Sequence, residues 1–435
     1  MTVLAYVLAF LAAGTSVLFF LRVRSLTGVL LWMPKALAGS AATFVALMGA
    51  LGVAFGLLSR APLAMAAGLL GALLAVRYVR RAAARHDGFE RVFGPDWQRR
   101  IAPQQQARLL KRRWAWRLPP YRGARWERDV SFWTIPGTGC ELLCDIWQPP
   151  EGVTPSGLAF IYLHGGAWHW MDKDFGTRPF FRHLATQGHV VMDVAYRLCP
   201  EVDIYGMIGD VKRAIVWIKA NAEKYGVDPA RVVVAGGSAG GHLALLAAYT
   251  PDHPDLTPGD VKEADTSVRA VVAYYGAVEW HAVYQHFAAF GSFAKGLEPG
   301  EGGILFRTIG AVSGRGMGTA SEKAKKQPGF SFDWMMANLL GGSPDEVPEV
   351  YDLASPIAHA GSDSPPTLLL QGEHDSFLPA DTSRALHRRL TEAGVPSVYV
   401  EFPQTEHGFD LLLPRYAPAA QAALYDVDRF LALMV

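Results

Sequence analysis

The first 76 residues contain no Asp or Glu and only four basic residues, Arg22, Arg24, Lys35 and Arg60. Between these charges lie apolar runs at residues 3–21, 36–58 and 61–76, the last of which extends to 79 if Arg77 reaches the membrane interface. A helix needs about 20 apolar residues to cross a bilayer. Since lipid offers no hydrogen-bond partners, such runs can only fold as helices there. The sequence therefore predicts a transmembrane region over residues 1–80, with spans at about 3–21, 36–58 and 61–79.

The basic residues also predict how this region is oriented. The charges between spans one and two and the Arg-rich segment after span three fall on one side, and Arg60 falls on the other. The positive-inside tendency then places the N-terminus outside and everything after residue 80 in the cytoplasm, in a multi-pass inner or plasma membrane protein. Without the third span the orientation would reverse. A cleaved signal peptide is the alternative for the first run, but its charges follow the apolar stretch instead of preceding it.

Residues 81–127 form a basic, Trp-containing segment that we interpret as a membrane-proximal connector. Residues 77–128 carry fifteen basic and four acidic side chains, whereas 129–435 have a net charge of −14. Basic and Trp side chains are typical of the membrane surface, which we favour over an ordinary linker and over a nucleic-acid partner.

Three cysteines imply no disulfide framework and are compatible with a reducing compartment.

From residue 128 to 435, β-rich runs alternate with helical patterns, which indicates a mostly parallel sheet with helices on both faces. A hairpin around the PGTG sequence opens this domain. The eight predicted strands are residues 130–135, 141–147, 158–163, 190–194, 231–235, 268–275, 367–370 and 398–402.

The stretch VVVAGGSAGG contains a serine within G-x-S-x-G, directly after a predicted strand and before a predicted helix. In that context the serine lies on a sharp turn that exposes its hydroxyl, and small neighbours at Gly236 and Gly240 avoid clashes. Ser238 is therefore the candidate nucleophile. A glycine-rich turn with a helix-capping serine is the alternative.

The sequence HGGAW follows the predicted strand that ends at residue 163. Its adjacent glycines can turn backbone N–H groups toward an oxyanion, so Gly165, Gly166 and Ala239 are the candidate oxyanion-hole donors. An ordinary strand-end turn is the alternative. Trp168 and Trp170 beside this loop suit an apolar acyl pocket, although aromatic core packing would have the same pattern.

Five motifs in order, HGGAW, YRLCPE, GGSAGG, GEHD and HGF, make residues 128–435 resemble the α/β-hydrolase superfamily, in particular hormone-sensitive-lipase-like esterases and their bacterial carboxylesterase relatives. The resemblance implies the α/β-hydrolase fold. Two positions depart from the usual pattern: Gly237 stands where many of these proteins have Asp, and Ala167 replaces the third glycine of HGGG. The resemblance therefore does not indicate a particular substrate for this protein.

The superfamily order of nucleophile, acid and histidine identifies the remaining catalytic candidates. Asp375 follows the seventh predicted strand, and His407 lies between the last strand and the C-terminal helix. Glu373 and Asp381 are rival acids. His374 is a poorer base than His407 because its neighbour Asp375 could not readily face the same serine.

These residues predict a membrane-anchored serine carboxylesterase or lipase that acts on a small-molecule or lipid ester through an acyl-enzyme, with no cofactor or metal. The alternatives are an amidase, arylformamidase or peptidase with the same triad, and a non-catalytic membrane scaffold. Residues 285–338 form an insertion that we interpret as either a lid or a surface loop. YRLCPE is predicted to support the oxyanion loop.

Overall fold

A mostly parallel sheet of eight strands, as predicted, forms the centre of the domain after residue 124 in the computed structural model, which describes residues 1–22, 26–289 and 332–435. Each predicted strand overlaps an observed one. The strands are β1 Arg125–Thr134, β2 Glu141–Gln148, β3 Ala159–Leu163, β4 Val190–Ala195, β5 Val232–Gly237, β6 Ala270–Tyr274, β7 Thr367–Gly372 and β8 Ser397–Phe402.

The strand order β1-β2-β4-β3-β5-β6-β7-β8 determines where the functional loops meet. Strands β3 to β8 are parallel to one another, whereas β2 pairs antiparallel with both of its neighbours, β1 and β4. Parallel strands end at the same edge of a sheet, where α/β proteins form their ligand sites. Ser238, Asp375 and His407 follow β5, β7 and β8, so all three lie at that edge.

Helices cover both faces of the sheet and bury the apolar side chains of its strands. One face packs against α8 and α10, and the other packs against α7 and the C-terminal helix α16. The described helices of this sheet domain are α7 Arg178–Thr186, α8 Ile204–Ala220, α9 Ala222–Tyr225, α10 Ala239–Tyr249, α11 Trp280–Ala289, α12 Phe332–Leu340, α13 Pro348–Ala354, α14 Pro356–His359, α15 Ala380–Glu392 and α16 Pro418–Met434.

The N-terminal helical region comprises four helices that precede the sheet domain. They are α1 Thr2–Leu18, α2 Leu26–Ser40, α3 Ala42–Leu58 and α4 Pro62–Ala82. Among the described helices, only α4 suffices by length and hydropathy to cross a bilayer. The predicted second span is divided, because Leu31–Ser40 and Ala42–Leu58 meet at a bend of 75°, and α1 is shorter than the predicted first span.

Helices α1, α3 and α4 pack through small residues and leave large apolar side chains on the outside. A Cβ at Gly52 would lie 3.0 Å from the Cα of Ala9, and a Cβ at Gly71 would lie 2.7 Å from the backbone of Ala12. In contrast, the exposed residues of these helices include Phe10, Leu58 and Leu63, with 56, 68 and 67% of their surface accessible. A water-soluble bundle has the opposite arrangement, with its large apolar residues inside.

The end of the helical region that contains Phe19 and Tyr78 shares a hydrophobic cluster with the sheet domain. Phe19 and Tyr78 belong to the same cluster as Phe402 of β8 and Phe430 of α16. The two parts of the chain are thus joined by apolar packing as well as by the connecting backbone.

The segment predicted as a membrane-proximal connector, residues 81–127, packs on the sheet domain. It contains α5 Gly88–Phe93, a 3₁₀ turn at Trp97–Arg100 and α6 Pro103–Gln106. Arg113 forms a buried ion pair with Asp426 of α16. The ring of Trp126 stacks on Trp147 with centroids 4.5 Å apart. Protein contacts therefore involve at least Arg113 and Trp126 of this basic, aromatic segment, whereas Trp116 remains 48% exposed.

The predicted lid insertion, residues 285–338, falls mostly outside the described residues, which resume at Phe332 after Ala289.

We predict that Gly49→Leu destabilises the helical region, because a Cβ at Gly49 would lie 2.6 Å from the carbonyl oxygen of Gly68. Overpacking of this kind costs about 1–3 kcal/mol or more. Thermal unfolding in a mild detergent should therefore begin at a lower temperature. Gly14→Leu is the matched control, since a Cβ at Gly14 meets nothing within 4 Å. Equal unfolding temperatures for the two variants would contradict close packing at Gly49.

Candidate active site

Ser238 lies on a strained turn between β5 and α10, with φ 56° and ψ −120°. This turn brings the start of α10 very close to β3. A Cβ at Gly240 would lie 2.0 Å from the carbonyl oxygen of Leu163, and one at Gly236 would lie 2.4 Å from the carbonyl oxygen of Gly240. No side chain fits at either position. The prediction that these two glycines clear space around the serine is thus confirmed by the packing.

The structure brings the three catalytic candidates into one hydrogen-bonded chain. The Nε2 atom of His407 lies 3.0 Å from Oγ of Ser238. The other ring nitrogen, Nδ1, lies 2.8 Å from Oδ2 of Asp375. This is the geometry in which a histidine removes a serine proton while a carboxylate fixes the ring tautomer.

The Asp375 carboxylate has partners on both oxygens. Its Oδ1 accepts hydrogen bonds from the backbone N–H groups of Phe377 and Leu378, at 2.9 and 2.8 Å. Its Oδ2 accepts from the side-chain amide of Gln371 at 2.9 Å in addition to the histidine. Donors that surround a buried carboxylate stabilise its charged form. Asp375 is therefore held in a fixed orientation toward His407.

The rival acids have other partners. Glu373 accepts a hydrogen bond from the backbone of Gln404, and Asp381 forms an exposed ion pair with Arg384. The neighbouring His374 is buried enough that its pKa is lowered to about 4. Among the described contacts, neither acid bonds to His407.

The loop that carries the candidate oxyanion-hole glycines lies against Ser238. A Cβ at Gly165 would lie 3.3 Å from Cβ of Ser238, and Gly166 has φ 123°, where a Cβ would lie 2.0 Å from the carbonyl oxygen of Trp170. Only glycine fits this backbone at position 166. The N–H groups of Gly165, Gly166 and Ala239 make no hydrogen bond in the described part of the chain. These three donors remain available to a substrate oxygen.

Residues of YRLCPE form hydrogen bonds to the backbone of the HGGAW loop, as predicted. The hydroxyl of Tyr196 donates to the carbonyl oxygen of His164 at 2.8 Å, and its ring stacks on the His164 ring. The N–H of Cys199 donates to the carbonyl oxygen of Trp168 at 2.9 Å. Both bonds fix the loop backbone on either side of the two glycines.

Trp168 and Trp170, the acyl-pocket candidates, are both buried. The indole N–H of Trp168 donates to Nδ1 of His242, and its ring packs on Trp280. Burial lowers the pKa of His242 to about 4, so this ring is neutral and can accept the bond. The contacts described for Trp168 therefore match the alternative of core packing behind the oxyanion loop.

Gly237, which stands where many hormone-sensitive-lipase-like esterases have Asp, faces a pair of tyrosines. A Cβ at this position would lie 3.3 Å from the hydroxyl of Tyr275 and 3.4 Å from that of Tyr162. The Tyr275 hydroxyl in turn donates to the buried carboxylate of Asp410. The space that a side chain at position 237 would need is thus occupied by a tyrosine–carboxylate pair.

Sequence reasoning missed three residues that contact the His407 loop. Trp32 and Lys35 of α2 reach this loop from the N-terminal region, and Glu406 lies on the loop itself. Two of them carry a signal in the sequence. Lys35 is an isolated charge in an acid-free apolar segment, and Glu406 is an acid directly before His407.

We predict that Gly237→Asp destabilises the sheet domain by about 1–3 kcal/mol, since it forces a second carboxylate beside Asp410 and crowds Tyr275. Burial already raises the pKa of Asp410, which shows how poorly this site accommodates charge. Adding Asp410→Asn should recover part of the lost unfolding temperature, because it removes the like-charge repulsion. A Gly237→Asp protein with unchanged thermal unfolding would refute this explanation of the glycine.

Comparison with known proteins shows which family and which esterases this chain resembles in sequence. Residues 144–295 and 318–390 match the BD-FAE family. The chain is similar to the probable carboxylic ester hydrolase LipM of Mycobacterium tuberculosis, with 33% identity over 314 residues that cover 72% of this chain and 62% of LipM. It is also similar to the esterase LipC of the same organism, with 30% identity over 310 residues that cover 70% of this chain and 67% of LipC.

A solved structure shares the fold. The propionate-bound esterase Est2 of Thermogutta terrifontis superposes with a TM-score of 0.51 and 23% identity, over 72% of this chain and 95% of that protein. The present chain spans less than two thirds of the length of LipM. The matched family covers just over half of the chain, and it includes the serine turn, the oxyanion loop and Asp375. The chain therefore belongs to the BD-FAE family and, with the carboxylic ester hydrolases to which it is similar, to the α/β-hydrolase superfamily.

Proposed function

We propose that this protein is a membrane-anchored serine carboxylesterase or lipase whose catalytic residues are Ser238, His407 and Asp375. The observation that carries the proposal is the continuous hydrogen-bonded chain from Ser238 Oγ through the His407 ring to Asp375. It ends at a serine held on a strained turn, which is how α/β hydrolases present a nucleophile.

The reaction follows from this geometry. His407 Nε2 accepts the Ser238 proton as Oγ attacks the acyl carbon, and Asp375 stabilises the charged ring. The negative charge that develops on the carbonyl oxygen is met by the N–H groups of Gly165, Gly166 and Ala239. His407 then gives its proton to the departing alcohol. A water molecule, activated by the same histidine, hydrolyses the acyl-enzyme.

Membrane anchoring is supported by the distribution of side chains in α1, α3 and α4. Small residues form the contacts between these helices, as in helix packing within lipid. Large apolar residues such as Phe10, Leu58 and Leu63 point outward, where acyl chains would surround them. Residues 1–76 also contain no acidic side chain.

The order of contacts also supports the proposed orientation. Ala12 and Phe19 of α1 pack against Gly71 and Tyr78 of α4, so α1 and α4 run in the same direction. Arg60 therefore lies at the end of the bundle that is remote from the sheet domain. The positive-inside tendency places the sheet domain in the cytoplasm.

We expect Ser238→Ala to hydrolyse p-nitrophenyl esters at least about a thousandfold more slowly than the wild type, because the nucleophile and the proton relay are lost together. The measurement is kcat for a series of acyl chain lengths, with matched p-nitroanilides to separate esterase from amidase activity. Covalent labelling by a fluorophosphonate provides an independent readout. Equal rates for wild type and variant would remove Ser238 from the mechanism. A wild type that neither hydrolyses these substrates nor reacts with the probe would favour a scaffold.

We expect a cysteine at position 60 to react with a membrane-impermeant maleimide in intact cells, because Arg60 lies on the side opposite the sheet domain. The background carries Cys140→Ser, since the other two cysteines are buried. Ser362→Cys, at an exposed position of the sheet domain, is the matched control and should react only after lysis. The reverse labelling pattern would overturn the proposed orientation.

A further inference from the structure

Helix α2 of the N-terminal region contacts the loop that carries the proposed catalytic histidine. The indole N–H of Trp32 donates to the backbone carbonyl oxygen of His407 at 2.8 Å, and Trp32 is only 7% exposed. Its ring meets Phe377 edge-on, with centroids 5.2 Å apart and planes at 89°. Phe377 follows Asp375 by two residues. Trp32 therefore contacts both the loop that carries His407 and the loop that carries Asp375.

One helical turn further on, Lys35 pairs with Glu406, the residue before His407. Both side chains are 2% exposed. The second oxygen of Glu406 accepts hydrogen bonds from the backbone N–H and the hydroxyl of Ser376, at 3.1 and 3.0 Å, and from the N–H of His407 at 3.2 Å. The Glu406 carboxylate thus links Ser376, the residue after Asp375, to the backbone of His407.

This buried carboxylate depends on Lys35. Burial raises the pKa of Glu406 and the nearby Asp375 adds to this effect, whereas Lys35 and Ser376 oppose it. Removing one partner of a buried ion pair leaves an uncompensated charge in a low dielectric. The loop that carries His407 would then have to rearrange in order to neutralise or hydrate Glu406.

The polar contacts of the helical region converge on these two loops. Besides Trp32 and Lys35, Arg22 donates to the carbonyl oxygen of Glu373, and the Tyr78 hydroxyl lies 3.2 Å from Oγ1 of Thr405. Among the described residues, all polar contacts from residues 1–82 to the sheet domain end on Glu373 or on 405–407. A helical region that served only as a tether would have no reason to direct its polar contacts there.

We propose that Trp32 and Lys35 are positioning residues of the active site: they hold the His407 loop and the Asp375 loop in the register that Ser238 requires. Helix α2 accordingly helps to position the catalytic residues, in addition to its place in the anchor. This inference rests on the proposed function, since it needs the Ser238–His407–Asp375 triad to be catalytic.

The test uses the full-length protein in mild detergent, with p-nitrophenyl butyrate as substrate and fluorophosphonate titration to count functional sites. For Lys35→Met we expect kcat per titrated site to fall about tenfold or more, because small displacements of a catalytic group have large effects on rate. KM should change by less than about threefold, since the role proposed for Lys35 is to position catalytic groups and not to bind the substrate. Lys35→Met combined with Glu406→Gln removes both buried charges and should recover part of the loss.

Trp32→Phe provides a second variant that keeps an aromatic ring and loses only the N–H donor. We expect kcat per titrated site to fall by about three- to tenfold, as for the loss of one buried hydrogen bond. Ser16→Ala is the matched control, because Ser16 is fully buried in the same region and its hydroxyl donates to the carbonyl oxygen of Gly71, within the helical region. It should keep the wild-type kcat.

Wild-type kcat per titrated site in both Lys35→Met and Trp32→Phe would overturn the inference, even if their unfolding temperatures fell. Counting titrated sites removes unfolded protein from the comparison, so a folding defect alone does not imitate the expected result. Failure of the proposed function is distinguishable, because the wild-type protein itself would then fail to titrate.

Discussion

The close approach of α10 to β3 is the contact on which the rest of the site depends. Ser238 can keep its strained backbone only because Gly240 lies directly against the carbonyl oxygen of Leu163. The same contact places the N-terminus of α10, with the N–H of Ala239, beside the loop at Gly165 and Gly166. One sterically tight junction thus sets both the exposure of the hydroxyl and the donors that face it. Strain of this kind persists only where surrounding packing imposes it.

A second constraint comes from buried charge behind the site. Asp375 and Glu406 lie on two adjoining loops, Lys35 reaches Glu406 from α2, and all three side chains are deeply buried. Each carboxylate is surrounded by donors, which is the condition for keeping charge away from water. Since Lys35 belongs to α2, the electrostatic balance of the site includes a residue from outside the sheet domain. The shared hydrophobic cluster around Phe19, Tyr78 and Phe402 joins the helical region to the sheet domain.

Much of the sheet domain could be predicted from the sequence because its signals are local. Strand–turn–helix order places Ser238 after β5, and the chain positions of Asp375 and His407 put them at the carboxyl ends of β7 and β8. The bend between α2 and α3 could not be predicted, because the apolar run 36–58 reads as continuous. The packing of residues 81–127 on α16 was likewise hidden, since a basic, Trp-containing segment looks the same whether lipid or protein covers it.

The sequence by itself determined where the strands lie along the chain, the motif residues and the apolar character of the first 80 residues, because periodicity, turn chemistry and composition act between near neighbours. Only the tertiary structure decided that Trp32 and Lys35 meet residues more than 370 positions away. The same holds for Gly237, whose neighbours Tyr162 and Tyr275 come from other strands and their loops. Such contacts depend on how whole elements pack, and no local pattern encodes which distant loop a buried lysine will neutralise.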